Sequence, residues 1–234
     1  QLESALLWIP DYCRGKIVEA LGYVGVNGRA PRQYSYPAGK GAVPPMDLRP
    51  FIDQGVWIIS TVYTYLAYTG DFSILDEVCG YYEFKGNEVL LNDEKDSVLD
   101  HLVRIAGYLC GNLDEETGCL HALYGDWNDA LDGLWKTDDP DKEYGTGVSV
   151  MATLQFCRNL AELAEILRKK GRDGKAEEYL RLRERIKKGL LEYAVVKNDK
   201  GERKILHGWG DKRSYLVGSF CDNDGQNRDG LTAD

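Results

Sequence analysis

The sequence predicts an all-α fold in which paired helices form a toroid or an array of hairpins. Three observations support this prediction. Apolar residues recur at helical spacing in five segments of the 234-residue chain. Long loops rich in glycine, proline and aspartate separate most of these segments, and we expect such loops to gather at one end of the fold. The chain contains no exact repeat, which disfavours a regular solenoid.

Five helices are predicted, in chain order at residues 4–22, 53–69, 95–111, 147–170 and 174–195. In the second of them, Ile59 and Leu66 lie on one face, and Gly70 ends the helix. The last two helices are joined by the sequence KKGRDG. A linker this short favours antiparallel packing of the two helices.

The segments between the helices differ in character. Residues 22–51 form a long loop rich in glycine, proline and aromatic residues, which is typical of a functional loop. Residues 71–78 predict a turn or a short helix, and residues 113–145 predict a second long loop. The tail at 196–234 has no helical period and predicts short strands within RKILHGW and SYLVGSF.

The overall charge limits the classes of partner. The net charge is −9, from 38 acidic and 29 basic residues. This excess of negative charge argues against a broad surface for nucleic acid or for an anionic membrane. The sequence has no run of about 18 or more apolar residues, so no transmembrane helix is predicted. Hydrophobic residues make up 43% of the chain, which is ordinary for a globular protein with a packed core.

Six cysteines are spaced irregularly, at positions 13, 79, 110, 119, 157 and 221. None forms a CxxC pair, and the three histidines complete no metal-binding spacing, so no metal site is predicted. Cys110 and Cys157 fall within helical apolar patterns, where a free thiol packs as a small hydrophobe. The cysteines are therefore expected to be reduced, which indicates a cytoplasmic protein.

The sequence LYGDWNDALDGLW at residues 123–135 is the strongest candidate for chemistry. If the segment is extended, Trp127 and Asp129 point to the same side, because side chains alternate along a strand. An aromatic ring can pack on the C–H face of a sugar while a neighbouring carboxylic acid reaches a glycosidic oxygen. An apolar neighbour also raises the pKa of a carboxyl group, which a general acid requires.

The same residues also have a structural interpretation. Aspartates in loops cap helices or form Asx turns, and tryptophans pack in cores. For Asp132, which precedes Gly133, the turn is the favoured interpretation. For Asp129, the residues alone leave the two roles evenly balanced. His121 could support the loop but is at least as well explained by a structural role, and His207 is a further candidate to approach the site.

The motif GDWNDALDG resembles the signature loop of the inverting disaccharide and oligosaccharide phosphorylases of glycoside hydrolase family 94. Other segments are similar to that family: RQYSYPAGKG, LRPFIDQGVWI with YLAYTGDFSILDE, and the helix pair that begins at GTGVSVMATLQF. The resemblance covers residues 28–195. It implies an (α/α)6 barrel. Residues 1–234 are then expected to be part of a single catalytic domain that is incomplete at both ends.

The resemblance implies roles for individual residues. Asp129, two residues after the loop tryptophan, corresponds to the family's general acid. Trp127 is implied to line the donor-sugar subsite, and Asp126 is a further candidate to bind the sugar. Arg49 is favoured for contact with the sugar as well. Asp53 is a candidate to accept hydrogen bonds from sugar hydroxyls, and its alternative is to cap the following helix.

The sequence departs from the family pattern in three places. The common double aspartate before a tryptophan is here IDQGVW, with one aspartate. The phosphate-binding histidine and Thr-Gly pair of the family are not recognisable, and we expect them further downstream. The tail SYLVGSFCDNDGQNRDGL looks closer to the 1,2-β-oligoglucan branch than to the cellobiose branch.

The implied reaction is inverting phosphorolysis of a β-glucosidic oligosaccharide, with a β-1,2 linkage as one candidate. An inverting hydrolase needs a second carboxylate about 6.5–9.5 Å away to activate water. Phosphate is already an anion, so a phosphorylase needs cations instead. Arg32 and Lys40 are the candidates to bind it, and solvated loop charges are the alternative for both. No cofactor besides phosphate as co-substrate is expected, and a homodimer is a candidate assembly.

Three other functions compete with this one. An inverting glycosidase on the same barrel would share the acid but would cleave without phosphate. A non-catalytic helical domain would use the aromatic residues as a platform for carbohydrate. A helical scaffold for protein partners would expose an apolar stripe and bind no sugar.

Overall fold

The computed structural model describes residues 2–127, 143–145, 147–197, 200–201, 203–205, 208–210 and 215–217. The chain divides into two compact units. The first unit comprises residues 1–49 and 54–111, and the second comprises residues 50–53 and 112–234.

The first unit begins with two helices where the sequence predicted one at residues 4–22. Helix α1 spans Leu2–Ala5 and helix α2 spans Pro10–Leu21. The break has a local cause, because proline carries no N–H and its ring disfavours helical dihedrals in the preceding residue. Ile9 accordingly has φ −140° and ψ 58°, and Pro10 occupies the first turn of α2.

A pair of two-residue strands and a long helix follow. Strands β1 (Gln33–Tyr34) and β2 (Met46–Asp47) pair antiparallel within the loop that the sequence predicted. Helix α3 spans Gln54–Thr69, which confirms the predicted helix at 53–69. Gly70 follows it with φ +67°, in the left-handed region that favours glycine at a helix end.

Strands β3 (Val78–Lys85) and β4 (Glu88–Ser97) form an antiparallel hairpin that was not predicted. Its signal is present in the sequence, because aromatic strand formers precede the two-residue turn Gly86–Asn87. Gly86 has φ +59°, as the first position of such a turn requires. The hairpin also shortens the predicted helix at 95–111.

Helix α4 therefore spans Val98–Cys110 and begins where β4 ends. The side chain of Ser97 caps it by accepting a hydrogen bond from the backbone N–H of Asp100 at 3.1 Å.

The all-α description is thus too narrow, because the described residues combine helices with β-hairpins. The predicted turn or short helix at 71–78 is confirmed as a 3₁₀ helix over Phe72–Asp76.

Asp71 is the centre of a hydrogen-bond network at the start of this 3₁₀ helix. Its carboxylate accepts from the hydroxyl and backbone N–H of Ser73, from the Tyr65 hydroxyl at 2.7 Å and from Arg14 Nε at 3.1 Å. Arg14 also bonds Glu77 at 2.8 Å. Hydrogen bonds from Ser73, then Tyr65 and Arg14, lower the pKa of Asp71 to about 2.

Asp71→Asn is expected to destabilise the chain by roughly 1–2 kcal/mol at pH 7, a figure reduced because the side chain is partly exposed. Because the folded pKa of Asp71 lies below the ordinary 3.8, its stabilisation is present above that value and disappears as the pH falls towards 2. Urea unfolding of the wild type and of Asp71→Asn between pH 7 and pH 2.5 measures the difference in their free energies of unfolding. The exposed Asp93→Asn is the control. A difference that stays constant down to pH 2.5 would contradict the lowered pKa of Asp71.

The second unit contains a long helical hairpin. Helix α5 spans Val150–Lys169 and helix α6 spans Asp173–Gly189, followed by a π-helical turn over Leu190–Ala194. Arg168 pairs with Glu177 near the linker, and Cys157 lies next to the Arg183 carbonyl far from it. The helices are therefore antiparallel, as the short linker predicted.

The second unit also carries short strands beside this hairpin. Strand β5 (Val148–Ser149) precedes α5. Strands β6 (Val195–Lys197) and β7 (Arg203–Ile205) pair antiparallel, and β5 pairs with β8 (Gly208–Gly210), which pairs with β9 (Tyr215–Val217). The tail strands predicted within RKILHGW and SYLVGSF are thus confirmed.

None of the helices in the described part of the chain is long and apolar enough to cross a membrane.

Candidate active site

The segment at residues 119–126, which leads into the acidic loop, is held by backbone hydrogen bonds along one edge. The N–H of Ser149 donates to the carbonyl of Leu120 at 2.9 Å, and the N–H of Ala122 donates to the carbonyl of Gly147 at 2.8 Å. The segment therefore lies beside strand β5. This pairing joins it to the residues that start helix α5.

At Leu123 the segment changes its neighbour. Leu123 has φ +55°, a left-handed conformation that is rare for a residue with a branched side chain. Beyond it, the N–H of Tyr124 donates to the carbonyl of Pro50 at 3.1 Å, and the N–H of Ile52 donates to the carbonyl of Gly125 at 3.0 Å. The backbone partners of the segment thus change at Leu123, from the residues around β5 to residues 50–52.

These bonds pair two backbone segments that are far apart in the sequence, and each segment continues into an aspartate. Ile52 and Gly125 are the donor and the acceptor of one of these bonds. Asp53 directly follows Ile52, and Asp126 directly follows Gly125. Each aspartate is only 1% exposed. On the same two segments, the rings of Phe51 and Tyr124 pack against each other, with centroids 5.0 Å apart. Two buried carboxylates on paired segments are a feature of functional sites rather than of ordinary cores.

Asp126 is bound to the start of helix α5. The hydroxyl of Ser149 donates to Oδ2 of Asp126 at 2.5 Å. The same hydroxyl oxygen accepts from the backbone N–H of Ala152 at 3.1 Å, so Ser149 also caps the helix. Ser149 was not among the predicted site residues, although a serine directly before an apolar helical pattern is a recognised cap signal.

Trp127 marks the point where the chain passes from buried to exposed. Its side chain is 56% exposed, whereas the preceding Asp126 is buried. An exposed ring next to a buried carboxylate can stack on a sugar. The proposed acid Asp129 lies outside the described residues, as do Asp132 and His207, so their predicted roles stay predictions.

His121 lies on the same segment and faces Asp114. Its Nε2 atom is 3.6 Å from Oδ1 of Asp114, and the imidazole is about one quarter exposed. Asp114 also accepts a hydrogen bond from the N–H of Thr117 at 2.7 Å, within the turn before the segment. The position of His121 is compatible with support of the turn.

The predicted cationic residues belong to the first unit. Arg49 pairs with Asp47, with Nη2 2.6 Å from Oδ2 and Nε 3.1 Å from Oδ1. The Arg49 guanidinium holds the pKa of the Asp47 carboxyl below its usual range. Arg32 lines a largely apolar cavity of about 180 Å³ together with Tyr34 and Trp57. Lys40 is exposed in the loop between β1 and β2.

The described residues show no group of three or more histidine, cysteine, aspartate or glutamate side chains that could hold a metal ion. The cysteines among them are free thiols. Burial raises the pKa of the Cys119 thiol, which lies on the segment that leads to the acidic loop. This thiol is therefore protonated near neutral pH and unsuited to act as a nucleophile.

Two comparisons place this site among known proteins. Residues 46–226 match the sequence model of the Glycosyl hydrolase 94 superfamily, catalytic domain. The chain is also 31% identical over 217 residues to solabiose phosphorylase of Paenibacillus borealis. That match covers 89% of this chain and 25% of the relative, so the chain spans about a quarter of its length. The matched region contains the acidic loop, and this chain therefore belongs to the glycosyl hydrolase 94 superfamily.

Proposed function

We propose that the protein catalyses inverting phosphorolysis of a β-glucosidic oligosaccharide and releases α-glucose 1-phosphate with a shortened sugar. The observation that carries this proposal is the family match over residues 46–226, since it spans both carboxylate-bearing segments and the acidic loop. The relative's name, which denotes a phosphorylase, supports the same class of reaction. The chain is then part of an (α/α)6 catalytic domain.

The proposed reaction balances without a cofactor. Asp129 donates its proton to the glycosidic oxygen as the C1–O bond breaks. A phosphate oxygen attacks C1 from the opposite face and forms the new C1–O bond with inversion. The proton ends on the shortened sugar, and the glucosyl group ends on phosphate. The attacking hydrogen phosphate carries a proton that the sugar phosphate releases, and water passes it to the Asp129 carboxylate before the next turnover.

The described residues supply groups suited to binding the substrates. Trp127, whose ring is exposed, is proposed to bind the donor sugar, and the buried Asp53 is proposed to accept hydrogen bonds from its hydroxyls. Arg49 is proposed to bind a sugar hydroxyl, and Arg32 and Lys40 to bind phosphate. A β-1,2 linkage is one candidate specificity, a homodimer is a candidate assembly, and the cytoplasm is the proposed location.

The inverting glycosidase is the second candidate, because the same acid serves hydrolysis. A hydrolase would use a base carboxylate, and Asp53 and Asp126, which are buried on or directly after paired segments, are the candidates for that base among the described residues. Phosphorolysis is favoured because the relative is a phosphorylase by name. The non-catalytic alternatives explain neither the buried carboxylates nor the family match.

Cleavage is expected to depend on phosphate. Full-length enzyme is incubated with a panel of β-linked glucosyl disaccharides, including solabiose and a β-1,2-linked one, with and without inorganic phosphate. Phosphorus NMR is expected to show an α-configured sugar 1-phosphate only when phosphate is present, since phosphate is the nucleophile. Equal cleavage without phosphate would instead identify a hydrolase, and binding without cleavage would identify a carbohydrate-binding module.

A further inference from the structure

The hydroxyl of Ser149 connects the acidic loop to helix α5. It donates its one proton to Asp126 and accepts from the N–H of Ala152, at 2.5 and 3.1 Å. Ser149 is 0% exposed and Asp126 is 1% exposed, so water does not compete for either bond. A buried hydroxyl that acts as both donor and acceptor thus links a carboxylate to the start of a helix.

Ser149 is itself fixed on both sides. Its backbone N–H donates to the carbonyl of Leu120, and its carbonyl accepts from the hydroxyl of Thr153 at 2.5 Å. The start of the 20-residue helix α5 carries partial positive charge, which favours a carboxylate nearby. Ser149 is therefore held by backbone and side-chain hydrogen bonds at a helix start that favours a nearby carboxylate.

We propose that Ser149 and Asp126 position the acidic loop, so that Asp126 acts through the backbone instead of contacting the sugar. This rests on the proposed function, in which Asp129 is the acid. Asp126 directly precedes Trp127 and lies three residues before Asp129, a stretch that spans at most about 11 Å. Holding Asp126 in place therefore fixes the point from which the chain continues to Asp129.

The consequence is specific to proton donation. A displacement of about 1 Å at a reacting group can cost on the order of 100-fold in rate. Loss of the Ser149 hydroxyl should therefore slow cleavage of a sugar whose leaving oxygen needs a proton. A 2,4-dinitrophenyl β-glucoside expels a stable aryloxide without protonation, as phosphate attacks C1 and the C1–O(aryl) bond breaks. Its phosphorolysis should not depend on the anchor.

Ser149→Ala is compared with wild type in the full-length enzyme, using a cleaved disaccharide and the dinitrophenyl glucoside. We expect kcat for the disaccharide to fall about 10–100-fold while KM changes by less than about threefold. For the dinitrophenyl glucoside, both values should stay within about threefold. Asp126→Ala should reproduce the loss, and Asp126→Asn, which still accepts the Ser149 proton, should recover most of it.

Ser97→Ala is the matched control, because Ser97 caps α4 and donates to Asp100 in the same way at 2.5 Å. It should lose similar stability and leave the ratio of the two activities unchanged. Ser149→Gly, which keeps most of the capping stability, replaces Ser149→Ala if the latter does not fold. Equal loss on both substrates, or full activity on both, would overturn the inference. Wild-type enzyme without phosphate-dependent cleavage would instead refute the proposed function.

Discussion

Replacement of Asp129 by asparagine is expected to lower kcat for phosphorolysis of a disaccharide by about 10²–10⁴-fold. Asparagine has nearly the same shape but carries no proton that it can donate to the leaving oxygen. The change removes an interaction made mainly in the transition state, so KM is expected to change little. Initial rates of sugar 1-phosphate release from the full-length enzyme measure both constants.

The same loop offers a matched control in Asp132→Asn. Asp132 precedes a glycine, and the turn is its favoured interpretation, so its kcat is expected to stay within about threefold of wild type. A 2,4-dinitrophenyl β-glucoside should still be cleaved by Asp129→Asn, because its leaving group needs no acid. Full activity of Asp129→Asn on the disaccharide would remove Asp129 from the mechanism, and equal losses in both variants would indicate a structural effect.

Gly189→Ala is expected to destabilise the chain by about 2–4 kcal/mol, which is large for the addition of one methyl group. A Cβ atom at Gly189 would overlap the backbone carbonyl oxygen of Thr117 and approach the N–H of Gly118. Backbone atoms cannot rotate away as a side chain can, so helix α6 or the turn at 117–118 must shift. This turn precedes the segment that leads to the acidic loop.

Thermal unfolding tests this effect, and a fall in Tm of about 6–12 °C is expected for a chain of this length. Gly174→Ala is the control in the same helix, because no atom lies within 4 Å of a Cβ there. Alanine is the better helix former, so Gly174→Ala should be neutral or stabilising by up to about 1 kcal/mol. A Gly189→Ala protein as stable as Gly174→Ala would contradict the close approach.

Local sequence patterns predicted the elements whose signal is short-range. Helices α3, α5 and α6 occupy the predicted segments because apolar periodicity, glycine punctuation and linker length act over a few residues. The prediction failed where a local signal was overlooked, since Pro10 broke the first helix and the turn at Gly86 formed a hairpin. Both signals, the proline and the turn glycine, are present in the sequence, so these two errors came from interpretation.

The sequence by itself determined the helical pairing in the second unit, the acidic loop and the family to which the chain belongs. Only the tertiary structure decided which groups surround the start of that loop. Pro50 and Ile52, which precede Asp53, form backbone hydrogen bonds with Tyr124 and Gly125. Ser149 binds Asp126, which lies 23 residues before it in the sequence. A buried carboxylate needs hydrogen-bond partners, but the residues next to it in the sequence do not specify which ones. Such long-range contacts therefore leave no periodic pattern in the sequence. The role of Ser149 was identified from its burial and its hydrogen bond to Asp126, and its residue type alone did not reveal it.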